Sequence, residues 1–252
     1  MKRIVNTLDK LNSGKRACAV FVLCATTAIA LPAQTFTTLY SFDGTDGEAY
    51  AGLVQATNGD FYGTNDGTIF KITAGGTLTT LSVALSYGGL VQATNGDFYG
   101  TTYQGGANGG GTVFKMTPSG TLTTLYNFCS KYDCGDGEYS RAELVQATNG
   151  DFYGTGCCGG QHPEGVVGSL STGLGPFLKT LPASGKVGTA VKILGTNLTG
   201  ATSVGFNGTA ALFRVASSSE ITTTVPVGAS SGTVQVVTPS GTLSTYVAFT
   251  VP

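Results

Sequence analysis

Carboxylates, imidazoles, thiols and exposed aromatic rings are the groups from which sites are built, and in this chain the acidic set is the most ordered. Asp43-Gly-Thr-Asp46-Gly-Glu48 and Asp133-Cys-Gly-Asp136-Gly-Glu138 stand at corresponding points of the sequence. Each puts three carboxylates on a Gly-bearing loop after a Leu-Tyr-x-Phe segment. Hard oxygen ligands on such a loop suit calcium, although the spacing is not that of an EF-hand. Asp-Gly pairs are also ordinary turn formers, so a calcium loop and a capped turn both stay open. The same carboxylates as a hydrolytic pair would need a sugar cleft with a fixed separation, of which the sequence gives no sign. His162 is the one histidine, and no Gly-x-Ser-x-Gly turn presents a serine to it. No catalytic residue is assigned, no cofactor beyond the calcium candidate is expected, and the chain reads as a non-enzyme.

Thiols and aromatics add two further candidates. Of the six cysteines, Cys129 and Cys134 flank a short loop and are expected to form a disulfide clipping it, whereas adjacent Cys157 and Cys158 could bond to each other, bond to another chain or stay reduced. A zinc site lacks paired Cys-x-x-Cys spacing. Phe61-Tyr62, Phe98-Tyr99 and Phe152-Tyr153 recur at equivalent points and read mainly as core, while Tyr103, in a Gly-rich connector, is the aromatic expected at a binding surface. Lys71 and Lys115 read as solvent-facing positions on edge strands.

The elements that carry these groups are dominated by one twelve-residue phrase, Leu-Val-Gln-Ala-Thr-Asn-Gly-Asp-Phe-Tyr-Gly-Thr, present unchanged from Leu53, Leu90 and Leu144. An apolar arm, Asn-Gly and an aromatic arm predict a β-hairpin with a two-residue type I′ turn. A second phrase, Gly67–Leu81, returns as Gly111–Leu125 and adds two more strands, so one repeat is four strands. The third copy is worn, with Gly165–Ser171 in place of the third strand and no Thr-Leu-Thr-Thr-Leu after it. That missing strand has a counterpart at Thr35–Phe42, which is expected to close a propeller-type ring against the third copy, because closure removes exposed strand edges. With about three blades in the chain, either a second copy completes the ring as a homo-oligomer, or the array is a shortened one whose sheets stay open.

Composition agrees with short strands and tight turns: 39 glycines in 252 residues, no tryptophan and 11% charged residues, against a typical charged share of about 25%. Residues 1–33 hold five of the 13 basic groups (Lys2, Arg3, Lys10, Lys15 and Arg16) and one of the 14 acidic groups, Asp9. The remainder carries 8 and 13, a net of −5. Such a chain offers no electrostatic footprint for nucleic acid. Basic residues before the apolar run Ala17–Leu31, then Leu31-Pro32-Ala33, read as a cleaved export signal, leaving no membrane span and a secreted or cell-surface address.

The phrases GLVQATNGDFYGT and GGANGGGTVFKMTPSGTLTTLYNF resemble the GloVer tandem repeat of bacterial exported proteins, over Thr35 to about Ser171. The segments PASGKVGTAVKILGTNL, VGFNGTAA, ITTTVPVGASSGTVQVVTPSG and VAFTV, from about Phe177 to Val251, resemble an IPT/TIG domain, which implies an immunoglobulin-like β-sandwich. Pro239–Thr245 echoes Pro118–Thr124, but reads as a hairpin turn of the sandwich. The expected organisation is all-β: a signal over 1–33, propeller-like repeats over 34–172, a linker over 173–176 and the sandwich over 177–252. The repeat resemblance implies a secreted, propeller-like repeat protein, and the expected role is a secreted or surface binding module whose partner is a glycan or a surface protein. A degenerate or accessory piece of a carbohydrate-active enzyme and a structural spacer are the alternatives.

Overall fold

The twelve-residue phrase folds as a hairpin in all three places, but around a longer turn than Asn-Gly suggests. The computed structural model describes residues 35–43 and 47–252; the expected export signal and Asp46 lie outside the described residues. In the first copy the Ala56 amide donates to the Asp60 carbonyl and the Gly59 amide to the Ala56 carbonyl, each at 2.9 Å, so the loop is Thr57-Asn58-Gly59. Only Gly59 (φ 88°) is left-handed, as are Gly96 and Gly150 in the other copies. This is a type I turn followed by a left-handed residue, in place of the type I′ turn that would need Asn58 there too. Asn58 is occupied differently: Oδ1 accepts from the Asp60 amide at 3.1 Å, and Nδ2 donates to the Tyr62 hydroxyl at 3.2 Å. Asn95 and Asn149 repeat both bonds to Asp97 and Tyr99, and to Asp151 and Tyr153.

The first repeat is the antiparallel sheet β1 (Val54–Gln55), β2 (Phe61–Thr64), β3 (Asp66–Ile72) and β4 (Leu78–Leu85). The second is β5 (Val91–Gln92), β6 (Phe98–Thr102), β7 (Thr112–Met116) and β8 (Leu122–Asn127), with a register shift at Val113/Phe114 matching one at Ile69/Phe70. The third has three described strands, β9 (Val145–Gln146), β10 (Phe152–Gly156) and β11 (Val166–Leu170), and β11 pairs with β10 alone. Lys71 and Lys115 lie in β3 and β7, each flanked by two strands, and not on edges; they pair at 3.6 Å with Asp60 and Asp97 of the hairpin turns.

Successive repeats bury each other's faces. Tyr62 stacks on Phe98 (centroids 4.1 Å apart, 28° between planes) and Tyr99 on Phe152 (4.2 Å, 23°). The Thr57 amide donates to Gln92 Oε1 at 2.9 Å and the Thr94 amide to Gln146 Oε1 at 3.1 Å, so the glutamine of the second and of the third phrase ties it to the repeat before. The two seams hold separate apolar clusters, one centred on Tyr62, Ile69, Leu90 and Phe98, the other on Tyr99, Val113, Leu144 and Phe152.

The segment expected to close a ring does something else. Residues 38–42 form no strand; the Phe42 ring meets Phe70 of the first repeat at 5.5 Å. The Leu39 carbonyl lies where a Cβ on Gly76 would come within 2.6 Å, as the Leu81 carbonyl does for Gly120 at 2.7 Å. Since Leu81 belongs to the fourth strand of the repeat before Gly120, residues 38–42 occupy the place of a fourth strand preceding repeat one. They do not pair with the third repeat. Three sheets are too few to turn through a full circle, which takes about four to eight.

The sandwich packs β12 (Lys179–Leu181), β13 (Ala190–Leu194), β16 (Phe213–Ser217) and β17 (Glu220–Thr224) on β14 (Ser203–Phe206), β15 (Thr209–Ala211), β18 (Val234–Thr238) and β19 (Gly241–Ser244). Its core includes Ile193, Leu198, Phe206, Ile221, Val234, Val236 and Phe249. Pro239–Thr245 makes the expected hairpin, β18 to β19. The 173–176 linker is not a free tether: Leu174 joins the second seam, and the Phe177 amide and Lys179 ammonium bond the carbonyls of Thr148 and Gln146 at 2.9 and 3.0 Å. Among the described residues no helix is long and apolar enough to cross a membrane.

Candidate functional site

The acidic loops do not form a matched pair of ligand sets. Asp136 organises its own loop: Oδ2 accepts from the Tyr126 hydroxyl (2.6 Å), the Ser130 hydroxyl (2.7 Å) and the Ser130 amide (3.0 Å), while Oδ1 accepts from the Lys131 amide (3.1 Å). Burial acts to raise its pKa, but the bonds from Tyr126, Ser130 and Lys131 prevail and hold the carboxyl well below the usual range. Asp133 sits in a 3-10 turn, Tyr132–Cys134, with φ 54°. Glu138 pairs through its backbone with Cys158, and Glu48 accepts the Tyr50 hydroxyl and, through its carbonyl, the Asp66 amide. Asp43 follows the segment lying on repeat one.

Cys129 and Cys134 are bonded to each other, as expected. Their sulfurs and Glu138 lie within 4.8 Å of one another, a spacing that would suit a metal, but sulfurs joined as a disulfide have no thiolate to offer. The Cys157 and Cys158 sulfurs are unbonded and 2.7 Å apart. The hydrogen bond between them is the main cause raising the Cys158 thiol, with burial and the Glu138 charge adding to it.

Tyr103 is where several elements converge. The four-stranded meander puts the Asn-Gly turns at one rim and the connections into each new repeat, with the connector between second and third strands, at the other. At that second rim the rings of Tyr50, Tyr87, Tyr103 and Tyr139 follow one another at centroid distances of 5.3, 5.2 and 5.1 Å. Arg141 lies over them, its Cζ 4.7 Å from the Tyr103 ring and 5.9 Å from the Tyr87 ring, with Nη2 donating to the Tyr103 hydroxyl at 3.2 Å. That bond is the main cause raising the guanidinium pKa. Tyr50, Tyr87, Tyr103 and Arg141 line an opening of about 330 Å³. At its acidic end the Tyr87 hydroxyl donates to Asp66 at 3.4 Å. The Tyr50 hydroxyl donates to Glu48, which pushes that phenol up to about 12. Burial, then the Asp66 charge, raises Tyr87.

Sequence reasoning found Tyr103 but missed Tyr50, Tyr87, Tyr139 and Arg141. A signal was present: a tyrosine stands three residues before the twelve-residue phrase in the first two copies and five before it in the third, where Arg141 is part of the inserted length. A second cavity, about 340 Å³, opens at the worn repeat and is bordered by Val113, Tyr126, Asp136, Leu144, Phe152 and Gly168. Gly168 stands where the second repeat has Phe114, and among the described residues no fourth strand covers the place.

Repeat and sandwich both have family matches. The model described as the Gloeobacter/Verrucomicrobia repeat matches residues 28–213. The chain belongs to the Gloeobacter/Verrucomicrobia repeat family. The IPT/TIG domain model matches residues 177–251, so the second module of this family member is an IPT/TIG sandwich. Over 177–213, where the matches overlap, the strands β12 to β15 are those of the sandwich. No curated protein matches the chain. Among solved structures, a gluconolactonase from Xanthomonas campestris is similar over 85% of this chain and 79% of its own, at 12% identity and a TM-score of 0.39. A streptogramin B lyase follows over 84% and 71%, at 15% identity and 0.34. A copper-bound fungal alcohol oxidase of the AA5 family is similar over 80% and 49%, at 13% identity and 0.30.

Proposed function

We propose that this repeat protein is an exported, non-enzymatic binding module of the bacterial surface or its surroundings, and that it holds a glycan across the tyrosine rim. The observation that carries this reading is the run Tyr50–Tyr87–Tyr103–Tyr139 with Arg141 laid over it beside an open space of about 330 Å³. Sugar rings present C–H faces that stack on aromatic faces, and their hydroxyls bond to guanidinium and phenol groups, both of which line this opening, with the Glu48 and Asp66 carboxylates bonded to two of its phenols. A shallow rim built from several repeats suits an extended chain of sugars better than a single small molecule. Export is supported by the basic-then-apolar residues 1–33, and the non-enzymatic reading by Asp136, whose carboxylate is engaged by four donors.

The test is calorimetric titration of soluble polysaccharides, neutral and uronic-acid-containing, into the protein and into Tyr103→Ala and Arg141→Ala. Saturable binding that weakens at least tenfold in both variants, with melting temperatures unchanged, is expected. Binding equal in all three proteins would remove the rim as the site. Release of reducing sugar by the unmodified protein would replace the binding reading by an enzymatic one.

A further inference from the structure

Each repeat has a leading face that meets the repeat before and a trailing face that meets the repeat after. The two internal seams show what these faces want. Trailing positions Tyr62 and Ile69, and then Tyr99 and Val113, are buried by the next repeat; leading positions Leu90 and Phe98, and then Leu144 and Phe152, fill those seams from the other side. At the two outer faces three of the four counterparts stand open, and the fourth, leading Phe61, is partly buried. Trailing Tyr153 is 39% exposed and Val167 is 82% exposed, while leading Leu53 is 55% exposed. Gln55, counterpart of the seam-crossing Gln92 and Gln146, receives no amide from a preceding repeat among the described residues.

The halves of one sheet are also divided between the two faces. Among the described residues the third repeat has three strands and an unpaired β11 edge, whereas residues 38–42 lie on the first repeat in the place of a preceding repeat's fourth strand. We infer that the trailing face of the third repeat seats the leading face of the first repeat of a second copy of this chain. In that seat Tyr153 stacks on the partner copy's Phe61 as Tyr99 does on Phe152. The partner copy's residues 38–42 supply the strand that β11 lacks, without leaving their position on their own repeat. Two copies joined reciprocally make six repeats, within the range of about four to eight that close a ring, and closure leaves no edge of β11 exposed.

The experiment is mass in solution, by light scattering and sedimentation at micromolar concentration, with the free thiols Cys157 and Cys158 blocked. It uses the full chain, Val167→Asp, Leu53→Asp and an equimolar mixture of the two variants. The unmodified chain is expected at twice its monomer mass and each variant alone at the monomer mass. The mixture is expected to recover the two-copy species, because Val167→Asp keeps its leading face and Leu53→Asp its trailing one. That recovery also shows that both variants fold. A monomeric unmodified chain overturns the inference, as do a mixture that stays monomeric and a series of species that lengthens with concentration.

Discussion

Replacing Asp136 by alanine tests whether its carboxylate is the organiser of the 129–138 loop. Four donors converge on it: the Tyr126 and Ser130 hydroxyls and the Ser130 and Lys131 amides, at 2.6 to 3.1 Å. A hydrogen bond to a charged group contributes about 1.5–3 kcal/mol, but four bonds to one half-exposed carboxylate are not additive and water can replace the hydroxyl partners, so the whole set is worth about 2 kcal/mol. In a chain of this size that corresponds to a fall of roughly 4–8 °C in Tm. The sign with pH follows from the depressed carboxyl. Stabilisation by Asp136 is fully present above the unfolded value of about 3.9 and fades as pH falls through the lower folded value. The Tm gap between the unmodified protein and Asp136→Ala should therefore be full at pH 7 and narrow progressively below about pH 4. Calorimetric scans at pH 7, 5, 3 and 2, with amide exchange at Ser130 and Lys131 as the local readout, measure it. A gap absent at pH 7, or as wide at pH 2 as at pH 7, would refute the reasoning.

Phe98→Ala removes a fully buried ring that stacks on Tyr62, and should cost about 3–5 kcal/mol in denaturant unfolding. Gly100→Ala and Gly154→Ala make the same change in the same phrase with different surroundings. A Cβ on Gly100 would meet the Phe114 ring at 2.7 Å and Leu90 at 2.9 Å, whereas on Gly154 it would meet the Leu144 side chain alone, the phenylalanine being replaced by Gly168. Overpacking of this kind costs about 1–3 kcal/mol, and the Gly100 variant should melt lower than the Gly154 variant. Cys129→Ser opens a loop with a sequence separation of 5 and should lower stability by about 2 kcal/mol, read as a fall in Tm that reducing agent reproduces in the unmodified protein.

Much of the architecture was legible because it is local. Three hairpins, the four-strand repeat, the worn third copy and the sandwich strands from Ala190 and Ser203 follow from alternation and turn residues over ten or so positions. The turn type was misread because Asn-Gly permits a two-residue loop. The bond from Asn58 to its Tyr62 four residues on, and the Asp60 amide, favoured three. The tyrosine rim was nearly illegible. Its members come from different repeats and a connector, and only the stacking of one sheet on the next brings Tyr50, Tyr87, Tyr103 and Tyr139 into file.

The twelve-residue phrase marks the boundary between the two kinds of information. Written identically three times, it determined by itself a hairpin in each place, the Asn–Tyr bond and the faces to which Phe and Tyr point. It could not decide that Tyr62 and Tyr99 are buried while Tyr153 stands open. Conformation is set by a residue's own neighbours in the chain, but burial is set by whatever packs against it. Among the described residues no repeat packs on the outer face of the third copy.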